Sequence, residues 1–69
     1  MDINDDMLKN FYVCNYSYSM NDMDKLFRYY IIKNNYAYYN YVAFVQNIVK
    51  ILKSKFPESR FNKDILDLL

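Results

Sequence analysis

Glycine is missing altogether, proline and cysteine occur once each (Pro57 and Cys14), and histidine and tryptophan do not occur. Without glycine, the tight two-residue hairpins that favour Gly or Asn-Gly lose their usual residue, which disfavours an all-β chain. Glycine-rich phosphate-cradling loops of the Walker or Rossmann kind drop out for the same reason. One cysteine cannot form an internal disulfide, and one thiol without histidine argues against structural zinc. Cys14 also lacks an imidazole to activate it, so it reads as a small buried hydrophobe rather than a nucleophile. No apolar run reaches the roughly 18 residues of a membrane span. The opening "MDINDDML" is acidic and lacks the basic and apolar regions of a signal peptide. With the unpaired thiol, this points to a reducing, intracellular (cytoplasmic) setting, with no membrane and no cofactor.

What is present is apolar and aromatic. Of 69 residues, 54% are hydrophobic, and nine are tyrosines. A chain of this size forms one domain, residues 1–69, near the lower limit for autonomous folding. With no disulfide or metal to staple it, packing or a partner must supply the stability. Phe, Tyr, Met, Ile, Asn and Lys, the residues with A/T-rich codons, occupy 40 of the 69 positions. That bias fits an A/T-rich genome, as in many viruses, phages, low-GC bacteria and some eukaryotic parasites, and it enriches tyrosine and asparagine without any functional demand.

Helical periodicity recurs along the chain. A first helix is expected from Asn4, with Asn4 as cap, Asp5 and Asp6 at the positive end of the dipole, and Ile3 stapled to Leu8. Its apolar face is Met7, Leu8, Phe11 and Tyr12. Between Val13 and Met20 the pattern fails; "VCNYSYS" alternates, so this connector contains at most a short extended segment. A second helix, about Asn21 to Asn34, carries the stripe Met23, Leu26, Phe27, Tyr30 and Ile31. Asp22 and Asp24 lie in its first turn, and "KNN" ends it because asparagine tolerates the left-handed conformation.

The third helix, about Tyr36 to Phe56, is expected to be the longest. Ala43, Gln46, Asn47, Lys50, Lys53 and Ser54 form its polar stripe, while Tyr41, Val42, Phe44, Val45, Ile48, Val49, Ile51 and Leu52 cover the rest. Such a helix belongs at the centre, packed on both sides. Pro57 and Glu58 end it. At "FNKDIL" Asn62 caps a short last helix, with Phe61 stapled to Leu66 and with Ile65, Leu66 and Leu69 inward. The expected fold is all-α: a small bundle of three main helices plus a short C-terminal one, around a long central third helix.

Two surfaces emerge from these wheels. Tyr38 and Tyr41 fall on the apolar side of the third helix, whereas Tyr36 and Tyr39 fall within or beside its polar stripe. Tyr29 and Ile32 lie off the buried stripe of the second. Tyr29, Ile32, Tyr36 and Tyr39 therefore make a candidate partner-binding patch, since exposed aromatic and aliphatic side chains are the material of protein hot spots. Lys50, Lys53, Lys55, Arg60 and Lys63 gather in one stretch opposed by Glu58, the pattern wanted for phosphate contacts. Net charge is only +1. The acidic pairs Asp5/Asp6 and Asp22/Asp24 sit in helix first turns, where capping explains them without catalysis or metal binding.

The segment "LFRYYIIKNNYAYYNY", Leu26 to Tyr41, resembles the start of an LYR-motif protein, with Leu26-Phe27-Arg28 in place of Leu-Tyr-Arg. That resemblance implies a small helical adaptor of a larger assembly, although "VQNIVKILKSKF" supplies lysines where the family's second helix is arginine-rich. "YIIKNNYAYYNYVAF" also resembles a LisH dimerisation motif, one residue long in its spacing and with Asn35 at the glycine position.

The sequence thus points to a non-enzymatic protein-interaction module, of viral or phage type, acting on a host factor or on a second copy of itself. A small adaptor subunit is the alternative, and a nucleic-acid-binding protein the third reading. Circular dichroism is expected to show helix well above the globular average of about a third. A strand-dominated spectrum would overturn the helical reading and favour the alternating "FYVCNYSYS" segment.

Overall fold

The computed structural model describes residues 8, 9, 11, 17–35 and 40–69. Their order is β1 (Ser17–Tyr18), α1 (Met20–Asn34), α2 (Tyr41–Lys55), β2 (Arg60–Phe61) and α3 (Lys63–Leu66), with Leu8, Lys9 and Phe11 also in helical backbone. Helix accounts for 71% of the description and strand for 8%, so the helical character expected from periodicity holds. Asn4 with its cap and staple, Met7, Tyr12, Cys14, Tyr36, Tyr38 and Tyr39 lie outside the described residues.

Helix α1 begins one residue earlier than its stripe suggests, because Ser19 caps it. The Ser19 hydroxyl accepts the Asp22 N–H at 3.4 Å while the Asp22 carboxylate accepts the Ser19 N–H at 2.7 Å, a reciprocal capping box. Its end comes where the asparagines require it. Asn35 is left-handed at φ 55°, and its N–H closes the last turn onto the Ile31 and Ile32 carbonyls. Met23, Leu26 and Tyr30 are buried; Phe27 and Ile31 pack at the edge of the core.

Helix α2 is shorter at its start than the expected Tyr36 to Phe56. Asn40 is extended and accepts the Ala43 N–H at 3.2 Å, so the helix starts at Tyr41 and spans 15 residues, the same as α1. Phe44, Val45, Ile48, Val49 and Leu52 are buried. Val42, expected on the apolar side, is exposed at the rim of that face. One flank meets α1: Phe44 packs on Phe27 at 5.2 Å and on Tyr30 at 5.2 Å, and Tyr41 on Phe27 at 4.9 Å. The other flank meets the C-terminal segment, where Gln46 Nε2 donates to the Leu68 carbonyl at 2.8 Å and the Lys53 ammonium lies 5.9 Å from the Phe61 ring.

These pairings advance in the same sense along both helices. Tyr41 meets Asp24 and Phe27; Phe44 meets Phe27 and Tyr30. An antiparallel hairpin would give the reverse order. At the crossing the Tyr41 hydroxyl donates to the Asp24 carboxylate and lies 3.0 Å from the Met20 sulfur. Burial pushes the Tyr41 hydroxyl well above its ordinary 10.0, and the hydrogen bond and negative charge of Asp24 add to the shift.

The alternating connector does contain strand. Ser17 pairs with Arg60 and Tyr18 with Phe61 in parallel, a two-residue ladder extended by the Asn62 N–H onto the Tyr18 carbonyl at 3.0 Å. Parallel pairing requires a crossover, here supplied by α1 and α2. Tyr18 is buried between two rings, Phe11 at 4.9 Å and Phe61 at 5.5 Å. Hydrophobic burial and ring stacking, rather than two residues of ladder, hold this junction.

The last helix corrects the expectation of burial at Leu66 and Leu69. Helix α3 stops at Leu66, and the N–H groups of Leu68 and Leu69 bond three residues back, to Ile65 at 3.0 Å and Leu66 at 3.1 Å. Such tightened turns eclipse i and i+3, so Leu68 follows Ile65 toward the core while Leu66 and Leu69 are exposed. Asn62 occupies the cap position without a side-chain cap bond.

Two stability predictions follow from this packing. Val45→Asp or Ile48→Asp would bury an unpaired carboxylate and cost several kcal/mol, enough to unfold so small a domain. Ser54→Asp, on the exposed side, is expected to stay within about 1 kcal/mol in thermal melts; equal effects would refute the buried face. The second concerns pH. Because the folded Tyr41 holds its proton more tightly than the unfolded one, its contribution is complete below pH 10.0 and is lost as pH rises beyond it. Tyr41→Phe is expected to cost about 1 kcal/mol near neutrality, less than the roughly 1.5–3 kcal/mol of a buried bond to a charged group because Tyr41 is partly exposed. Denaturant titrations should show the wild-type advantage over Tyr41→Phe intact at about pH 9 and shrinking as pH rises above 10.0. A constant difference would mean that Tyr41 is not held by Asp24.

Candidate functional site

The outward face of α1 is set by its inward one. At about 100° per residue, the stripe Met23, Leu26 and Tyr30 leaves Lys25, Arg28 and Ile32 on the opposite side and Tyr29 on the flank between, with Lys33 beside it in the last turn, and all five are exposed. Ile32 is 79% accessible and Tyr29 is 45%. The Lys33 ammonium lies 5.6 Å from the centre of the Tyr29 ring, one helical turn away, a cation–π contact that steadies the ring. Of the four residues expected in the aromatic patch, Tyr29 and Ile32 are thus exposed together on one helix face, and Tyr36 and Tyr39 lie outside the described residues. Tyr41, assigned inward, does pack against the core.

Lys25, Arg28 and Lys33 add cations to this helix that the longer basic run from Lys50 to Lys63 overshadows in the sequence. Their importance comes from the acids of α1. Asp22 is held in the Ser19 capping box and Asp24 by the Tyr41 hydroxyl. Both carboxylates are drawn into the fold, while Lys25 and Arg28 project outward. The Leu26-Phe27-Arg28 triplet sits in the middle of α1, with Leu26 buried, Phe27 half-buried and Arg28 exposed.

The second candidate surface is less uniform. Lys50, Lys53, Lys55, Arg60 and Lys63 are all exposed, spread over α2, β2 and α3. Lys53 is drawn toward the Phe61 ring. Glu58, Asp64 and Asp67 are exposed within the same segment and dilute its field. Lysines in the last turn of α2 are also what its negative dipole end favours.

A shallow hollow of about 310 Å³ is lined by Lys55, Phe56, Pro57 and Glu58, a single turn that lacks the enclosing walls of a ligand pocket. Among the described residues, no group of three or more His, Cys, Asp or Glu side chains is placed to hold a metal ion. No helix there is long and apolar enough to cross a membrane. Compared with known families, curated proteins and solved structures, the chain matches none.

Proposed function

We propose that this chain is a non-enzymatic protein-interaction module that docks a protein partner through the outward face of α1. One observation carries the reading: Ile32, an aliphatic side chain 79% exposed, stands beside Tyr29 on a helix whose opposite face is already fully engaged. Isolated apolar side chains at the surface are ordinary, but an aliphatic and an aromatic together on one rigid helix face supply a hot-spot anchor. Tyrosine adds large contact area at small rotamer cost, with a hydroxyl for the rim. Tyr36 and Tyr39, a few residues further along, belong to the same proposed surface. In this arrangement α2 is the central helix of a single domain, and α1 presents the docking face.

The codon-biased composition and small size fit a viral or phage protein acting inside a cell on a host factor. A small adaptor subunit of LYR-like or LisH-like type would use the same face toward a larger assembly. Nucleic-acid binding is the third reading, favoured by the exposed Lys50, Lys53, Lys55, Arg60 and Lys63 and weakened by the acids among them.

Affinity capture from a cell lysate, with sedimentation of the purified chain, tests the proposal. Ile32→Ala and Tyr29→Ala are each expected to weaken capture of a defined partner, or self-association, by about 2 kcal/mol, roughly thirtyfold. Melting temperatures should stay close to wild type. Ser54→Asp, on exposed α2 surface, should leave capture unchanged. Retention that tracks the Lys50 and Lys53 substitutions and ignores Ile32 would transfer the function to the basic segment.

A further inference from the structure

We infer that the partner of the α1 face is a protein segment in which acidic side chains flank an aliphatic or aromatic one. This rests on the docking face proposed above and adds the chemistry of what it recognises. The face has a defined layout. Ile32 and Tyr29 form its apolar centre, with Arg28 about one turn or less from both and Lys25 about one turn from Tyr29 and two from Ile32, on the same side of the helix. Neither cation is ion-paired with an acid of α1, for a structural reason. Asp22 satisfies the Ser19 N–H and hydroxyl, at 2.7 and 3.0 Å, and Asp24 accepts from Tyr41, so the two acids of the helix are committed elsewhere.

An apolar centre rimmed by cations selects against basic partners, because like charges brought together at a desolvating rim are costly. It favours carboxylates, which arginine can bind through two parallel hydrogen bonds. Nucleic acid would satisfy Lys25 and Arg28 but offers no matching use for Ile32, since stacking requires a π-face. An anionic membrane would need more buried apolar area than one isoleucine and one half-exposed ring supply. A protein segment uses both halves of the surface.

Peptide-display selection against the full-length folded chain, from a random library at physiological salt, tests this. Enriched peptides should carry Asp or Glu spaced around a Leu, Ile, Phe or Tyr. Synthetic versions should lose about tenfold or more in affinity toward Lys25→Glu/Arg28→Glu, a change reduced at high salt. The same peptides should also lose affinity toward Ile32→Ala, with circular dichroism confirming that each variant is folded. Enriched peptides that need Ile32 but lack acids, and that tolerate the charge reversal, would overturn the acidic chemistry and leave the docking face standing. Acidic peptides indifferent to Ile32→Ala and Tyr29→Ala, or no enrichment at all, would overturn the face itself. Duplex DNA or phosphatidylserine vesicles retained through Lys25 and Arg28 but not Ile32 would replace the protein partner with a polyanion.

Discussion

The hydrogen bond from Tyr41 to Asp24 joins the first residue of α2 to the first turns of α1, and much else follows from that placement. A helix that began beside the end of its predecessor would lie back along it as an antiparallel hairpin. Anchoring Tyr41 near Asp24 and Phe27 instead brings Phe44 onto Phe27 and Tyr30, so the two helices share an aromatic contact. The bond also removes a carboxylate from the outer surface of α1. Fold and surface chemistry are therefore coupled through one hydroxyl. Asp24 serves the crossing, and the cations on the other side of the helix are left to face outward.

Tyrosine fills several distinct roles here because it is both a large hydrophobe and a hydrogen-bonding group. Tyr30 is packed as core, Tyr18 is stacked between Phe11 and Phe61, Tyr41 is a hydrogen-bonding strut, and Tyr29 is half-exposed under Lys33. In a domain without disulfide or glycine, rings take on closure as well as packing. The Tyr18 junction is the clearest case. It brings a segment before α1 into register with one after α2, separated by the two main helices. Such long-range closure is entropically costly, which explains why two residues of ladder are accompanied by a buried aromatic stack.

Local rules were readable because they depend on residues a few positions apart. The Met23–Leu26–Tyr30 stripe, the left-handed Asn35, the polar side of α2 and the exposure of Tyr29 and Ile32 all follow from helical spacing and backbone preference. Where the reading fell short, a competing local hydrogen bond intervened. Ser19 and Asp22 close a reciprocal box that moves the start of α1. Asn40 caps α2 at Tyr41 rather than allowing an earlier start. Three-residue turns at the C-terminal end send Leu68 inward and leave Leu66 and Leu69 exposed.

Sequence alone thus determined that the stretches of α1 and α2 are helical and which side of each is apolar, because periodicity is written in neighbouring residues. It also determined that disulfides and glycine loops play no part. Only the tertiary structure decided the order of contacts between α1 and α2, the parallel pairing of Tyr18 with Phe61, and the commitment of both α1 acids to internal bonds. Those depend on groups up to 43 positions apart finding one another, and no local propensity specifies the partner of a buried ring or of a carboxylate. The cationic character of the α1 face belongs to this second kind. Its lysines and arginine are visible in the chain, but Tyr41, from another helix, decides that Asp24 turns away from them.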